Sequence, residues 1–172
     1  MEKKLPRVAT ATVESPSTLR IRWQGKKATD VVNLSGWIAT GGDILAPLRD
    51  SSVFSRAAVT NYGSAVGWDN DGDLAIDALH LKKLAEEQKP FSNNDVRIWQ
   101  TFVDLSNSEA AELVGVSVST WNAYRVNAKI PRSVAIALRA AIRDPLVVQA
   151  HLRPRIAGRP RKAVNVDGKR SA

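Results

Sequence analysis

Twenty residues in the second half of the chain, numbers 107 to 126, read NSEAAELVGVSVSTWNAYRV and join two helix-forming runs through a glycine. Ala111 lies four residues before Gly115, so a small side chain stands where two crossing helices must come close. Glycine can also take the positive φ angle that ends the first helix. The stretch therefore predicts a helix-turn-helix unit, although a helical hairpin in an ordinary bundle would have the same spacing.

The predicted second helix, residues 117 to 126, has two chemically different faces. Its inner face would carry Val116, Trp121 and Tyr124, which recur at helical spacing. The candidate contact residues on and after the helix are Ser117, Ser119, Thr120, Asn122, Arg125, Asn127 and Lys129. Side chains of these types hydrogen-bond base edges and phosphates. We therefore expect this helix to enter the major groove of double-stranded DNA and to read its sequence.

The residues from Leu113 to Pro131, LVGVSVSTWNAYRVNAKIP, resemble the motif of the lambda-repressor-like (Xre-like) helix-turn-helix family. Two positions depart from it. Trp121 replaces a smaller aliphatic residue, and Asn127 stands near a family glycine, where asparagine can also form a left-handed turn. The resemblance implies a bacterial or phage DNA-binding domain that regulates transcription.

The N-terminal half predicts a small antiparallel sheet with short helices. Apolar and polar residues alternate, as they do in half-buried strands, in three segments between residues 8 and 37: VATATVES, TLRIRW and ATDVVNLSGW. Asp43 is expected to cap a short helix that runs through Leu48. A second hairpin is expected from VFSRAAVTNYG and SAVGWDN, followed by a helix over residues 74 to 88.

The same half resembles a small bacterial α+β family of unknown function, whose members occur alone or joined to a C-terminal helix-turn-helix domain. The matching residues are Leu19, Ile21, Trp23, Leu48, Asp50, Phe54, Trp68, Gly72, Asp73, Leu74, Asp77 and Leu79. The resemblance implies a fold and no chemistry. This domain is the candidate for dimerisation or for binding a protein partner.

The second domain is expected to contain four or five helices around Trp99, Trp121 and Tyr124. Residues 92 to 94 can cap the first helix, and helices follow over 108 to 114, 117 to 126 and 132 to 143. Pro131 suits the first position of the last helix, whose buried stripe would be Val134, Leu138, Ala141 and Ile142. With Asp144 and Pro145 ending the helices, the predicted divisions are an α+β domain over 1 to 88, a helix-turn-helix domain over 91 to 148 and a tail over 149 to 172.

Positive charge is concentrated in that tail. The 172 residues carry a net charge of +8, of which residues 1 to 90 and 91 to 144 contribute +1 each and the last 28 residues contribute +6. The tail, expected to be disordered without a partner, contains GRPRK at 158 to 162, which resembles the AT-hook. The resemblance implies minor-groove contacts by Arg159, Arg161 and Lys162. Because Ala157 replaces the first hook arginine, a basic tail without sequence preference is the other interpretation.

Several classes of function find no support in the sequence. There is no cysteine, and His80 and His151 lack the spacing of metal or acid-base sites. Asp69, Asn70, Asp71 and Asp73 form an acidic cluster, but their spacing fits a tight turn better than a calcium loop. We therefore expect a protein that is not an enzyme and holds no cofactor or metal. The absence of a signal peptide or bilayer-length apolar run predicts a cytoplasmic protein without membrane contact.

Two functions remain open from the sequence. The first is a sequence-specific DNA-binding regulator that acts as a homodimer, because one helix reads only a few base pairs. The alternative is a protein-interaction module, such as an antitoxin, a phage-encoded inhibitor or an adaptor, which uses the helix-turn-helix fold to bind a protein. The near-neutral charge of residues 91 to 144 keeps that alternative open.

Overall fold

The computed structural model of the protein describes residues 5–153, which form two compact units that divide between Pro90 and Phe91. The first unit combines antiparallel sheets with short helices, and the second is helical, which confirms the predicted α+β class. The strands are β1 Val8–Ser15, β2 Thr18–Trp23, β3 Thr29–Asn33, β4 Ala58–Thr60, β5 Ala65–Gly67 and β6 Ala75–Asp77. The helices of the first unit are α1 Ser35–Thr40, α2 Gly42–Leu45, α3 Ser51–Phe54 and α4 Ala78–Gln88, with 3-10 turns at Ala46–Arg49 and Asn61–Gly63.

The first sheet has the order β1-β2-β3, and both pairings are antiparallel. Leu19, Ile21 and Trp23 on β2 are buried, whereas Arg20 and Arg22 between them are exposed. Successive side chains of a strand point to opposite faces of the sheet, so the predicted alternation correctly identifies the side that faces the core.

The third strand is shorter than predicted. The sequence favours a strand as far as Trp37, but β3 ends at Asn33 and α1 begins at Ser35. The Asn33 side chain explains the change, because its Oδ1 accepts a hydrogen bond from the backbone N of Ser35 at 2.8 Å. Such a local bond turns the chain away from the extended conformation.

The prediction that Asp43 caps a short helix is wrong. Gly41 is the residue before α2, no side chain caps this helix, and Asp43 lies inside its first turn. The helix ends at Leu45 and continues as a 3-10 turn rather than running unbroken to Leu48. The next helix, α3, is capped by an aspartate, because Asp50 Oδ1 accepts a hydrogen bond from the backbone N of Ser52 at 2.8 Å.

The second sheet has the order β4-β5-β6 and contains the predicted hairpin in a shortened form. Residues 53 and 54, expected in its first strand, belong to α3. The helix predicted to begin at residue 74 begins at Ala78, because residues 75 to 77 form β6 and pair with β5. Asp77 fixes the helix start, since its side chain accepts a hydrogen bond from the backbone N of His80 at 2.9 Å.

The acidic segment before β6 is the tight turn that the sequence predicts. Asp69 accepts hydrogen bonds from the backbone N of Gly72 and the backbone N of Leu74, each at 2.9 Å. Gly72 takes a φ of +82°, which a glycine adopts without strain. This turn brings Leu74 into the core, where it packs with the other buried side chains of the first unit.

The second unit contains five helices in its described part. They are α5 Asn93–Val103, α6 Asn107–Leu113, α7 Val118–Val126, α8 Arg132–Arg143 and α9 Pro145–His151. Ser92 caps α5 and Ser106 caps α6, and the backbone N of each serine donates in return to the carboxylate of the residue three positions later. The predicted centre of the core is confirmed, because Trp99 and Trp121 pack edge to face with ring centroids 5.7 Å apart and Tyr124 is buried beside them.

Three details of α8 and α9 differ from prediction. Pro131 is the residue before α8 rather than its first helical residue, since its ψ of 146° is extended. Ile142 is 46% exposed and lies outside the buried stripe. Asp144 and Pro145 begin a further helix instead of ending the helices, because the Asp144 side chain accepts a hydrogen bond from the backbone N of Leu146.

The additional helix, α9, extends the second unit beyond residue 148. Val147, Val148 and Leu152 are partly buried against the core of this unit. Residues 149 to 151, which the sequence assigns to the tail, are therefore helical. The expected disorder of the remaining tail concerns residues outside the described part of the chain.

Candidate nucleic-acid interface

The predicted turn between α6 and α7 is present. Gly115 has a φ of +72°, and Val116 N donates to Ala111 O at 2.9 Å, which closes the end of α6. Ala111 is fully buried at this crossing. Ser117 then caps α7, because its Oγ accepts from the backbone N of Thr120 at 3.1 Å.

The polar candidates on α7 are not equally available. Ser117 and Thr120 use their hydroxyl groups at the helix start, where the two oxygens lie 2.8 Å apart. Ser119 and Asn122 are exposed, and neither side chain has a hydrogen-bond partner in the described part of the chain. These two residues, together with exposed Val118 and Val126, form the surface that α7 offers to a ligand, which we call the α7 face.

Two candidates follow α7 in the chain. Asn127 is exposed, but its φ of −153° is not left-handed, so the expected glycine-like turn is wrong. The chain instead turns through hydrogen bonds from the backbone N of Asn127 and the backbone N of Ala128 to Ala123 O. Lys129 is exposed beyond this turn and adds a positive charge after the end of α7.

Arg125 lies on the side of α7 that faces the rest of the unit. Its Nη1 donates to Asn107 Oδ1 at 3.0 Å, and its Nε is buried with no partner among the described residues. The half-buried guanidinium is therefore bonded to α6, whereas Ser119 and Asn122 are exposed. The structure separates this candidate from the rest of the predicted contact set.

Helix α5 contributes residues that the sequence does not predict as part of this site. Asn93 Nδ2 donates to Tyr124 O at 2.8 Å and to Ala128 O at 2.7 Å, and Arg97 Nη1 donates to Arg125 O at 2.6 Å. The bonds to Tyr124 O and Arg125 O satisfy carbonyl groups at the C-terminal end of α7, which lack partners within the helix, and the bond to Ala128 O holds the turn after it. Asn93, Arg97 and Gln100 recur four and three positions apart, a spacing that places them along one side of α5 and was visible in the sequence.

The electrostatics of the interface are weak within the helical unit. The α7 face contains no charged side chain, and residues 91 to 144 have six basic and five acidic residues. The predicted contact residues Arg159, Arg161 and Lys162 lie outside the described residues. A polyanion would therefore meet little long-range attraction from this unit alone.

The first unit holds a separate polar cluster around Asp30 on β3. Its carboxylate accepts from Trp23 Nε1 at 2.6 Å and from Lys82 Nζ at 3.0 Å, and Lys89 Nζ lies 3.1 Å away. Burial raises the pKa of Asp30, but the hydrogen bonds from Lys82, Trp23 and Lys89 outweigh it and lower the pKa from 3.8 to about 2. Because Asp30 is occupied by these donors, we assign the cluster a structural role.

The described residues contain neither a cluster of metal-ligating side chains nor a helix of membrane-spanning length. Across residues 5–153, no three histidine, aspartate or glutamate side chains come together in an arrangement that could hold a metal ion. Over the same residues, no helix is long and apolar enough to cross a membrane.

No family model matches the chain, and no curated protein matches it. Among solved structures, the chain is similar to "Putative DNA Binding Protein NE0471" from Nitrosomonas europaea ATCC 19718, with 23% identity over 88% of this chain and 94% of that chain and a TM-score of 0.43. A similarity of this size establishes neither a shared fold nor a shared function. The two family resemblances therefore stay predictions.

Proposed function

We propose that this protein is a non-enzymatic, sequence-specific DNA-binding regulator that inserts α7 into the major groove. The observation that supports this most is the arrangement of α6, the Gly115 turn and α7. Trp121 and Tyr124 fix α7 to the core, while Ser119 and Asn122 on its other side are exposed and have no hydrogen-bond partner among residues 5–153. An α-helix presented in this way fits the dimensions of the major groove.

The α7 face carries suitable chemistry for reading base pairs. The Asn122 amide has a donor and an acceptor and can pair with the N6 and N7 atoms of adenine, and the Ser119 hydroxyl can pair with any base. The methyl groups of Val118 and Val126 match the methyl group of thymine. Lys129 is the candidate phosphate contact beside this surface, since lysine binds phosphate as a point charge.

A regulator of this kind requires more contacts than one α7 face provides. We therefore extend the proposal to a homodimer that places two α7 helices in successive major grooves, about 34 Å apart. The DNA site would then be a palindrome. The first unit is the candidate for the dimer contact.

The proposal is tested by selection from a random duplex pool at physiological salt, followed by sequencing of the retained DNA. We expect a palindrome to be enriched by the full chain. A variant with Ser119→Ala and Asn122→Ala should lose the enrichment and remain folded, because both side chains are exposed. The matched control changes Ser133 and Gln149 to alanine, two exposed polar residues on α8 and α9, and should retain it.

The alternative function, a protein-interaction module, has one specific observation in its favour. Val118 and Val126 on the α7 face are 38% and 69% exposed, and no charged residue lies on that face. Exposed aliphatic groups without surrounding basic charge are typical of protein-binding surfaces. If no duplex is enriched, but a partner isolated with the full chain is lost on Val118→Ser and Val126→Ser, the alternative replaces the proposal.

A further inference from the structure

A closed set of hydrogen bonds links α7 to both neighbouring helices. Trp121 Nε1 donates to Gln100 Oε1 at 3.0 Å, Gln100 Nε2 donates to Asn107 Oδ1 at 2.8 Å, and Arg125 Nη1 donates to the same Asn107 oxygen at 3.0 Å. The path leaves α7 at Trp121, crosses α5 and α6, and returns to α7 at Arg125. We call these four residues the polar circuit.

From this arrangement we infer that Arg125 is a positioning residue, which sets the angle of α7 through Asn107 rather than contacting DNA itself. The inference rests on the proposed function and deepens it, because it divides the basic and polar residues of α7 into two roles. Ser119 and Asn122 read the DNA. Arg125 holds the helix that carries them.

The geometry favours this role over a direct contact. The circuit joins residues four apart on α7, so it restrains both rotation of the helix about its axis and movement of its C-terminal half. The Nε of Arg125 is buried, and a move outward would break the bond to Asn107. Arg97 on α5 also donates to the carbonyl of Arg125, so side chain and backbone are both held at this residue.

Restraint of α7 has a direct consequence for recognition. Contacts to base edges require side chains to be held within about 0.5 Å of their productive position. Trp121 and Tyr124 bury apolar surface, but apolar contacts are not directional. The polar circuit supplies the directional bonds, and Gln100 also donates to Leu105 O at 2.9 Å, which ties the circuit to the loop between α5 and α6.

The test uses the full chain and measures affinity for the selected palindrome, the salt dependence of binding and the base preference. Arg125→Met removes the guanidinium and keeps much of the side-chain volume. Asn107→Ala removes its partner and leaves the guanidinium in place. If Arg125 acts by positioning, both variants lose at least about tenfold in affinity with preference weakened at every position, and the double variant loses no more than either single variant.

Three controls separate the roles. Asn107→Asp keeps an acceptor for Arg125 and should bind like the natural protein, whereas a phosphate contact by Asn107 would make this variant fail. The salt slope is the slope of the logarithm of the binding constant against the logarithm of the salt concentration. Lys129→Gln should reduce its magnitude by about 0.9, as loss of one phosphate contact does, while Arg125→Met should leave it unchanged. If Arg125→Met reduces the slope similarly, or relaxes preference at one base pair while Asn107→Ala binds normally, the positioning role is wrong.

A measurement without DNA distinguishes failure of this inference from failure of the proposed function. The indole N–H resonance of Trp121, assigned by its loss in Trp121→Phe, should shift in both Arg125→Met and Asn107→Ala because the circuit connects all three residues. A shift in a chain that selects no DNA would retain the positioning role and reject DNA binding. No shift in either variant would overturn the inference.

Discussion

Asp30 shows how one residue can join two elements of the first unit. It lies on β3, and its partners Lys82 on α4 and Lys89 directly after α4 come from the other end of this unit in the sequence. The Asp30 side chain is only 14% exposed and that of Lys82 only 15%, so removing the Asp30 charge takes the nearest carboxylate from a largely buried ammonium group. Breaking such a pair costs more than breaking an exposed one because the remaining charge is partly desolvated.

We therefore predict that Asp30→Asn lowers the free energy of unfolding by about 1–3 kcal/mol. The folded pKa of Asp30 is lowered to about 2 from 3.8, so its contribution is present above pH 4 and is lost as the pH falls towards 2. Urea unfolding of the natural chain and the variant should give a difference that shrinks between pH 5 and pH 2. Glu14→Gln, which removes the exposed pair of Glu14 with Arg20, is the control and should cost less than about 1 kcal/mol.

At the scale of whole elements, α9 is the least expected part of the second unit. Its Val147 and Val148, with Leu152 just after it, pack on the core, and the helix is capped by Asp144. Apolar burial of this kind stabilises in proportion to the area removed from water. The unit therefore depends on residues that the sequence analysis assigned largely to the end of a domain or to a tail.

We predict that ending the chain after Asp144 lowers the free energy of unfolding of the second unit by about 1–3 kcal/mol, since three partly buried side chains are lost. Ending the chain after Arg153 keeps α9 and should leave the free energy of unfolding of the second unit unchanged. Amide hydrogen exchange in α7 measures the stability of this unit and should become faster when α9 is removed. Exchange in β2 measures the stability of the first unit and should not change. Equal protection of α7 in both truncated chains would show that α9 does not stabilise the unit.

Elements with long periodic patterns could be predicted from the sequence, and elements decided by single polar bonds could not. The alternation of Leu19, Ile21 and Trp23 correctly predicts β2, and the spacing of Trp121 and Tyr124 correctly predicts the inner face of α7. The end of β3 depends on one bond from Ser35 to the Asn33 side chain. The strand β6 has three residues and is formed by pairing with β5, which its own sequence does not indicate.

The outline of the candidate site was also predictable, because it depends on a periodic pattern within one helix. The residue types on α7 indicate a polar surface, and Ser119 and Asn122 are exposed as expected. Helical spacing alone assigns Arg125 to that surface as well. Its bond to Asn107 depends on how α6 crosses α7, and this crossing angle is a tertiary property that a pattern within one helix does not contain.

For the molecule as a whole, positive charge is concentrated at the C-terminal end of the sequence. Residues 154 to 172 contain six basic residues and one acidic residue, whereas the helical unit from 91 to 144 has a net charge of +1. Phosphate neutralisation raises affinity for every DNA sequence and makes binding sensitive to salt. Under the proposed function, the α7 face selects the sequence and the C-terminal residues supply most of the salt-dependent attraction.

We predict that ending the chain after Arg153 reduces the salt slope of DNA binding by between about 2 and 5, because each phosphate contact contributes about 0.9. The preferred palindrome should not change, since the α7 face remains intact. Lys26→Gln with Lys27→Gln removes two exposed charges of the first unit and is the control, with an unchanged slope expected. An unchanged slope after truncation would place the phosphate contacts elsewhere in the molecule.

The same measurement distinguishes the two interpretations of the GRPRK segment. Arg159→Gln with Arg161→Gln removes two charges, so a tail without sequence preference should lose about 1.8 from the slope and keep equal affinity for A·T-rich and G·C-rich flanks. An AT-hook would also lose a preference for A·T-rich flanks, because arginines in a narrow minor groove depend on the stronger negative potential found there. Binding to palindromes with the two kinds of flank, before and after the change, decides between them.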